Sequence, residues 1–422
     1  MGEARRRTYK APRGTQDVLP SEQPYWDLVR DTATRVCTAF GYGRIDTPVF
    51  EEASLFTRGV GEVTDIVQKE MYVFQDRGGL ELALRPEGTA PVCRAYLEHG
   101  MHNLPQPVRM FYFAPIFRYD RPQAGRYRQH HQFGAEAIGE GDAAIDAEII
   151  ELLWRTYEEL GLSGLTLHLN SIGDAACRPA YLQVLRSYYA DKLHHICPDC
   201  QARYERNTLR LLDCKVPQCQ PVIEKAPPIT EHLCDPCRGH FADLQAYLEA
   251  AAIPFVLNPR LVRGLDYYTR TVFEVQPPEE GAQSSIGGGG RYDGLMEQIG
   301  GRPTPGIGFG SGIERIIINL KRQGVAVPAE PRPRVYVAHQ TPAARVAAFR
   351  LASDLRRAGI GAVCAGGDRS LKSQMRHAGA LGAAYAAIIG ERELAQGAVT
   401  LKRLADGAQE TVAVTDVAAR VV

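Results

Sequence analysis

The chain has 422 residues, 45% hydrophobic and 23% charged, which is the composition of a globular protein and too long for one typical domain. Its 49 basic and 49 acidic side chains balance, so net charge neither favours nor excludes a nucleic-acid partner. The sequence has no run of about 18 apolar residues and no apolar core after its basic N-terminus. These features argue against a membrane helix and a secretory signal, and predict a cytoplasmic protein.

Helices and strands are mixed along the first three quarters of the chain. An amphipathic helix is predicted over residues 25–40, and strands separated by Gly and Pro turns continue to residue 139. A second helix is predicted over 142–160. Residues 174–250 resemble a mostly helical insertion, and strand character returns over 255–299.

A proline-rich break, VPAEPRPR at 327–334, precedes a second region. Beyond it strands alternate with helices, which predicts a small α/β domain. One apolar helical face is predicted from Val346, Phe349, Ala352 and Leu355. The predicted domains are therefore residues 1–326 and 332–422.

Six of the ten cysteines lie between Cys197 and Cys237. In a cytosolic chain such clustering favours metal binding over disulfides. Zinc prefers four thiolates in a tetrahedron, so the two C-x-x-C pairs are the first choice of ligands: Cys197, Cys200, Cys234 and Cys237. Cys214 and Cys219 are alternatives, and a set of reduced, partly buried thiols without metal stays open.

Two segments before residue 140 place polar side chains where a site is easily built. In LRPEGTAP, Arg85 and Glu87 follow a strand, and Thr89 is the predicted N-cap of the next helix; a solvated turn is the alternative. Residues 108–139 predict a hairpin whose one face carries Arg118, Gln132 and Glu136. Five arginines of this hairpin match phosphate binding, with a solvated basic loop as the alternative: Arg109, Arg118, Arg121, Arg126 and Arg128.

Two later segments are rich in glycine or in tyrosine and arginine. In PGIGFGSGIERIIINL, 305–320, the glycines lack G-x-G-x-x-G spacing, which argues against a nicotinamide-dependent oxidoreductase and favours close approach of a flat ligand. Arg315, in the first helical turn, indicates an anionic ligand. The segment LVRGLDYYTRTVFEV places two arginines, an acid and two tyrosines ahead of a strand, where each polar group needs a partner if buried.

Taken in order, these motifs resemble the histidyl-tRNA synthetase family of class II aminoacyl-tRNA synthetases. The resemblance covers nearly the whole chain and is carried by RGTQDVLP, LRPEGTAP, FRYDRPQAGRYRQHHQFGAE, LVRGLDYYTRTVFEV, GGGGRYDGL, GIGFGSGIERI and DRSLKSQMRHAGALGA. It implies an α+β catalytic core on an antiparallel sheet, with the insertion at about 174–250, and a C-terminal α/β anticodon-binding domain.

The resemblance also implies an activity and its partners. The family activates L-histidine with ATP and Mg²⁺ to histidyl-adenylate, transfers it to the 3′ end of its cognate tRNA, and forms a homodimer. A non-catalytic alternative, the synthetase-like regulatory subunit of ATP phosphoribosyltransferase, predicts an eroded histidine pocket and no anticodon domain. The six-cysteine insertion is not part of the pattern common to the whole family, so a structural Zn²⁺ is a separate hypothesis.

Roles carried over by the resemblance fall into two groups. Arg118 and Arg263 are expected to be catalytic and to grip the α-phosphate of ATP, with Arg315 at the other end of ATP. The histidine ammonium would meet Glu87, Thr89 and Gln132, and the imidazole would lie between Glu136 and Tyr268. Tyr267 and Tyr292 would line the pocket. The loop from Arg121 to Arg128 would meet the tRNA acceptor end. In the C-terminal domain, Arg369, Lys372 and Arg376 form either a basic stripe for RNA or a solvated face.

Overall fold

The computed structural model describes residues 9–61, 64, 66–121, 125–278 and 285–422. The chain forms two compact units, Met1–Pro328 and Ala329–Val422, and the division lies within the predicted proline-rich linker. Residues 122–124 of the loop expected to meet tRNA lie outside the described residues.

The strands of the larger unit are β1 (Gly43–Arg44), β2 (Phe50–Glu52), β3 (Tyr72–Gln75), β4 (Glu81–Leu84), β5 (Val108–Phe117), β6 (Gln129–Ile138), β7 (Thr166–Ser171), β8 (Phe255–Leu257), β9 (Thr269–Gln276), β10 (Gly287–Arg291) and β11 (Gly306–Gly312). Its helices are α1 (Gln23–Ala39), α2 (Ala53–Val60), α3 (Thr89–Glu98), α4 (Ala143–Glu159), α5 (Arg178–Tyr189), α6 (Pro198–Arg206), α7 (Gln220–Ile223), α8 (Asp235–Ala250), α9 (Leu295–Gln298) and α10 (Ile313–Arg322).

The centre of this unit is a sheet with eight strands in its described part, in the order β1-β5-β6-β11-β10-β9-β7-β8. The pairs from β5 to β7 are antiparallel, and only the flanking pairs β1–β5 and β7–β8 are parallel. The predicted α+β core on an antiparallel sheet is therefore confirmed. A smaller sheet, β2-β4-β3, lies beside α2 and α3.

Helix α4 anchors the core under the large sheet. The side chain of Asp142 caps it by accepting a 2.8 Å hydrogen bond from the backbone N of Ala144. Its apolar residues recur every three or four positions, so Ile149, Leu153 and Tyr157 are fully buried against the sheet. The insertion follows β7 and consists of α5 to α8 with short 3₁₀ turns, as predicted.

The smaller unit contains β12 (Val335–His339), α11 (Arg345–Arg357), β13 (Ala362–Cys364), α12 (Leu371–Ala380), β14 (Tyr385–Ile389), α13 (Glu391–Gln396), β15 (Ala398–Arg403), β16 (Gln409–Ala413) and α14 (Val417–Val421). Its five strands lie in the order β13-β12-β14-β15-β16, parallel at the first two pairs and antiparallel at the others. The predicted α/β domain is confirmed.

The predicted apolar face of α11 is wrong at two of its four positions. Val346 and Phe349 are 79% and 63% exposed, while Ala352 and Leu355 are buried. Residues at a constant spacing of three drift by roughly 60° per step around a helix, so the four side chains cannot share one face. The buried stripe uses mixed spacing instead and includes Ala348 and Leu351. No described helix in either unit is long and apolar enough to cross a membrane.

Candidate active site

The centre of the site is the carboxylate of Glu136 on β6, which has no solvent exposure. Three hydroxyls donate hydrogen bonds to it: Thr89 at 2.9 Å and Tyr112 at 3.2 Å to Oε1, and Tyr292 at 2.6 Å to Oε2. Its pKa is raised to about 8, mainly by burial and also by the neighbouring Glu87 carboxylate, while the three hydroxyls lower it. The site therefore holds an acidic group that titrates near neutral pH.

Glu87 lies beside this group at the start of α3. Its two carboxylate oxygens accept hydrogen bonds of 2.7 Å from the backbone N–H groups of Thr89 and Ala90, so the side chain caps the helix. Burial raises its pKa, against the two backbone donors and the Arg118 charge, which lower it. Thr89, predicted as the N-cap, is instead the first helical residue, and its hydroxyl is free to serve Glu136.

Three tyrosines form the wall between the two carboxylates. The rings of Tyr267 and Tyr268 lie 4.7 Å apart, and those of Tyr267 and Tyr292 lie 5.8 Å apart. The Tyr267 hydroxyl approaches Oε2 of Glu87 at 3.5 Å. All three rings are buried, so the segment that follows Arg263 is part of the pocket and not a surface patch.

The glycines of β11 make room for site side chains. A Cβ on Gly308 would lie 1.7 Å from Oε2 of Glu136, and one on Gly310 would lie 1.9 Å from Nε2 of Gln132. A Cβ on Gly306 would lie 2.4 Å from the Tyr292 ring. The interpretation that a ligand lies flat on this strand is wrong at these positions, because the protein's own side chains fill the space.

Three arginines lie close to these side chains, with Arg118 near Glu87 and Arg263 near Tyr268. Arg263 donates a 2.7 Å hydrogen bond to Glu274, Arg118 donates one of 2.7 Å to the carbonyl of Pro86, and Arg315 donates to the carbonyls of Gly125 and Ser285 at 2.9 and 2.7 Å. Burial lowers the pKa of Arg315, as do the cations Arg126, Arg118 and Arg263. Mutual repulsion of this kind is relieved by a polyanion.

The partly exposed His130 imidazole is subject to the same positive potential. His130 precedes the site residues on β6, and burial together with Arg118 and Arg315 lowers its pKa to about 3. The imidazole is therefore neutral at physiological pH. His130, Gln132 and Glu136 alternate along β6 on one face of the sheet, so the cations and the carboxylates belong to the same site.

Two polar atoms in the site lack a hydrogen-bond partner in the described structure. Oε1 of Gln132 and Nε of Arg263 are both buried without one. An unpaired buried acceptor and an unpaired buried donor are costly. They suit a ligand that carries a cation at one end and an anion at the other.

Some expected residues have other roles, and the structure adds one that sequence reasoning missed. Arg109 pairs with Glu148 at 2.8 Å, and the Arg128 guanidinium lies 3.9 Å from the centre of the Tyr119 ring, so the five arginines do not form one phosphate site. Arg85 donates hydrogen bonds to the carbonyls of Thr47 and Pro115 and stabilises the fold.

Tyr112 is a site residue that the sequence analysis did not predict. Its ring occupies the space that a Cβ on Gly134 would need, at 2.3 Å. The sequence signal for it was the pair Gly88 and Gly134, because a Cβ on Gly88 would also meet the Tyr112 ring, at 2.4 Å.

The preferred cysteine grouping is wrong. Cys197 and Cys200 lie with Cys214 and Cys219, the alternatives, and all four thiols are buried. Cys234 and Cys237 lie instead with Cys177 and Asp174. The reason is that the two C-x-x-C pairs begin different helices, α6 and α8, so each pair meets a different neighbour.

Comparison with known proteins agrees with this architecture. The family model "Histidyl-tRNA synthetase" matches residues 14–316, and the model "Anticodon binding domain" matches 334–422. The chain is 58% identical over 404 residues to a histidine–tRNA ligase of Dehalococcoides mccartyi, with 96% of this chain and 97% of the relative covered. It is 53% identical to that of Moorella thermoacetica, with 95% of each covered.

A solved structure gives the same result. The apo histidyl-tRNA synthetase of Staphylococcus aureus aligns with a TM-score of 0.81 at 36% identity, covering 98% of this chain and 99% of that one. The matches extend through both units and include the residues around Glu136 and the tyrosine-rich segment. The chain belongs to the histidyl-tRNA synthetase family of class II aminoacyl-tRNA synthetases.

Proposed function

We propose that this protein activates L-histidine with ATP and transfers the histidyl group to the 3′ end of its cognate tRNA, in the cytoplasm. The observation that carries the proposal is the Glu136 carboxylate, buried and held by three hydroxyls in a site that also contains a cluster of mutually repelling arginines. The family shown by the comparisons has this activity in its name.

The carboxylate side of the site fits the amino acid. A neutral imidazole has one N–H donor and one acceptor nitrogen, so Glu136 would accept from one nitrogen and the hydroxyl of Tyr268 would donate to the other. The ammonium would meet Glu87 and Oε1 of Gln132, which is buried without a partner. Thr89, Tyr267 and Tyr292 would hold these acceptors in place. Directed contacts of this kind reject analogues that lack the polar groups by roughly 10⁴-fold.

The arginine side fits ATP. In the first step an oxygen of the histidine carboxylate attacks the α-phosphorus, the bond from that phosphorus to the bridging oxygen breaks, and pyrophosphate leaves. Negative charge grows on the α-phosphate as this happens. Arg263, whose Nε is buried without a partner, and Arg118 would stabilise it, and Arg315 would bind the outer phosphates. Mg²⁺ would enter bound to the ATP phosphates.

The second step uses the tRNA. A ribose hydroxyl of the terminal adenosine attacks the carbonyl carbon of the adenylate, and AMP leaves. We place the acceptor end at the loop from Arg121 to Arg128 and the anticodon on the C-terminal unit. In that unit α12 carries Lys372 and Arg376, and Arg369 lies just before it.

A structural zinc ion is proposed for the insertion. Cys197 and Cys214 have sulfur atoms 3.8 Å apart, and those of Cys219 and Cys200 are 3.9 Å apart. Four thiolates around Zn²⁺ at the usual Zn–S length have S···S edges of roughly 3.8 Å. Metal analysis of protein purified without chelator tests this, and a chain without stoichiometric zinc would contradict it.

A homodimer is proposed through the small sheet. Its apolar side chains Phe50, Val73 and Phe74 are 50%, 47% and 43% exposed, which is unusual for a cluster with no partner. A second copy of the chain would cover it. Light scattering should give a dimer mass for the wild type and a monomer mass for Phe50→Arg, and a monomeric wild type would contradict the proposal.

Charging of tRNA tests the function directly and separates it from the regulatory-subunit alternative. Purified protein should attach labelled histidine to a histidine tRNA transcript and not to a transcript with another anticodon and acceptor stem. A folded protein that charges neither would support the non-catalytic alternative. The intact pocket and the matched anticodon-binding domain favour the enzyme.

A further inference from the structure

The insertion contains a second cluster of ligand-type side chains: Asp174, Cys177, Cys234 and Cys237. Their ligand atoms all lie within 4.8 Å of one another. Oδ1 of Asp174 is 3.6 Å from Sγ of Cys177 and 4.0 Å from Sγ of Cys234. A tetrahedral Zn²⁺ at normal bond lengths places sulfur and oxygen ligands roughly 3.5 Å apart. The spacing therefore matches a three-cysteine, one-aspartate site.

The backbone around the cluster is shaped for these ligands. Gly173 has φ of +64°, and a Cβ there would lie 2.7 Å from the sulfur of Cys177, so only glycine fits. Cys177 and Cys234 are the N-cap residues of α5 and α8, and Cys237 is in the first turn of α8. Three of the four ligands therefore lie at helix N-termini, where the helix dipole favours a negatively charged ligand.

The same arrangement occurs at the four-cysteine cluster. There Cys197 is the N-cap of α6 and Cys200 lies in its first turn, with a proline beside them as in α8. Two C-x-x-C turns thus start two helices, and each is completed by a different pair of ligands. This repetition explains why six clustered cysteines exceed the need of one ion: the remaining two, with Cys177 and Asp174, complete another site.

An arginine orients the carboxylate of the second cluster. The guanidinium of Arg270 donates a 3.3 Å hydrogen bond to Oδ2 of Asp174, which leaves Oδ1 toward the cysteines. Three thiolates and a carboxylate exceed the charge of Zn²⁺, so a neighbouring cation is stabilising. A hydrogen bond from a neighbouring residue commonly fixes the orientation of a metal ligand.

The cluster is joined directly to the tyrosine-rich segment of the active site. The backbone N of Arg270 donates to the carbonyl of Gly173 at 2.7 Å, and the N of Ile172 donates to the carbonyl of Arg270 at 2.7 Å. Arg178, next to Cys177, donates to the carbonyl of Tyr268 at 2.6 Å. Arg270 has φ of +48°, a conformation that a non-glycine residue keeps only when its surroundings enforce it.

We propose that Asp174, Cys177, Cys234 and Cys237 bind a Zn²⁺ ion distinct from the one assigned to Cys197, Cys200, Cys214 and Cys219, and that this ion positions Tyr268. The ion fixes the start of α5 and the turn after β7. Those two elements hold the carbonyl of Tyr268 and the backbone of Arg270. The ligands are positioning residues, since none of them lines the pocket itself.

Metal stoichiometry tests the site without reference to catalysis. Wild-type protein should contain two zinc ions per chain, and the double variants Cys177→Ser/Cys234→Ser and Cys214→Ser/Cys219→Ser should each contain one. A wild type with one zinc that Cys177→Ser/Cys234→Ser retains would overturn the proposal. Two zinc ions in a protein inactive in histidine-dependent exchange would contradict the proposed function and leave the metal site supported.

Asp174 gives a test that does not depend on removing a cysteine. In Co²⁺-loaded protein the thiolate-to-metal absorption should rise in Asp174→Cys, which adds a thiolate to the second site, and both metals should be kept. Asp174→Ala should lower the affinity of one of the two ions by at least roughly 10-fold. An unchanged absorption in Asp174→Cys would show that residue 174 is not a ligand and would overturn the site as assigned.

Steady-state kinetics test whether the second ion positions Tyr268. This test rests on the proposed function. Loss of the second ion should raise KM for histidine by roughly 10-fold with KM for ATP unchanged, because Tyr268 faces the amino acid. The Cys214→Ser/Cys219→Ser protein is the matched control and should keep the wild-type KM for histidine. Equal effects of both double variants, or equal increases in both KM values, would contradict a role in positioning Tyr268.

Discussion

The hydroxyl of Tyr292 on the β10–α9 connection donates a 2.6 Å hydrogen bond to Glu136 on β6, and both side chains are fully buried. The bond joins two segments 156 residues apart. It fixes the carboxylate that we place against the imidazole of histidine. Loss of a hydrogen bond to a charged or titrating group costs more than loss of one between neutral groups.

Tyr292→Phe should weaken histidine binding by about 1.5–3 kcal/mol, which raises KM for histidine by roughly 10-fold or more. The matched control is Tyr157→Phe, which removes another buried hydroxyl, bonded to Ser311 at 2.8 Å. It should lower stability while leaving KM for histidine unchanged. Equal KM values for the two variants would show that Tyr292 does not serve the pocket.

The raised pKa of Glu136 predicts that the stability of the protein depends on pH. Its pKa is raised to about 8 from an ordinary value of 4.5, so between these values the folded protein binds a proton that the unfolded chain releases. Stability from this group is fully present below pH 4.5 and is lost as pH rises through 8. Relative to Glu136→Gln, the wild type should therefore lose at least about 1 kcal/mol of unfolding free energy across this window. Denaturant unfolding of both proteins measures it, and a constant difference would contradict the raised pKa.

Gly308 should tolerate no side chain. A Cβ there would lie 1.7 Å from Glu136 and 2.6 Å from the carbonyl of Ala135, so Gly308→Ala should destabilise by at least about 1–3 kcal/mol and abolish histidine binding. Gly239→Ala is the control, because Gly239 lies inside α8 with no atom within 4 Å of the added Cβ. That change should stabilise by about 0.5–1 kcal/mol. Thermal unfolding separates the two, and a harmless Gly308→Ala would refute the register of β6 and β11.

Arg263→Ala should lower kcat/KM for histidine-dependent exchange of pyrophosphate into ATP by roughly 10²–10³-fold, because a fixed cation at the α-phosphate is lost. Arg260→Ala, three positions upstream, removes an exposed side chain that donates to the carbonyl of Glu224 at 2.8 Å. It should retain wild-type exchange. If Arg263→Ala and Arg260→Ala exchanged pyrophosphate equally well, Arg263 would have no role in the activation of histidine.

Local pattern was sufficient for much of the fold. Alternation along 129–138 predicted that Gln132 and Glu136 share a face, and the structure places both there. The pairing between strands that are distant in the chain could not be predicted from the sequence. Gly308 faces Glu136 because β11 lies next to β6, and that register depends on packing across about 170 residues of chain. The purpose of the β11 glycines was misread for this reason.

The cysteines show the same limit of local reasoning. Spacing identified two C-x-x-C turns, but the partners of one turn come from the 3₁₀ segments before α7, and those of the other come from the connection between β7 and α5. No spacing rule connects these segments, so Cys177 and Asp174 were not predicted as ligands. Tertiary packing decides which residues complete each C-x-x-C turn.

The central claim is that the Glu136 pocket selects histidine for activation by ATP. Exchange of labelled pyrophosphate into ATP, measured with each standard amino acid in turn, tests it most directly. We expect exchange with histidine, none above background with the other amino acids, and loss of the histidine signal in Arg263→Ala. Exchange driven equally by another amino acid, or none with histidine in a folded protein, would contradict it.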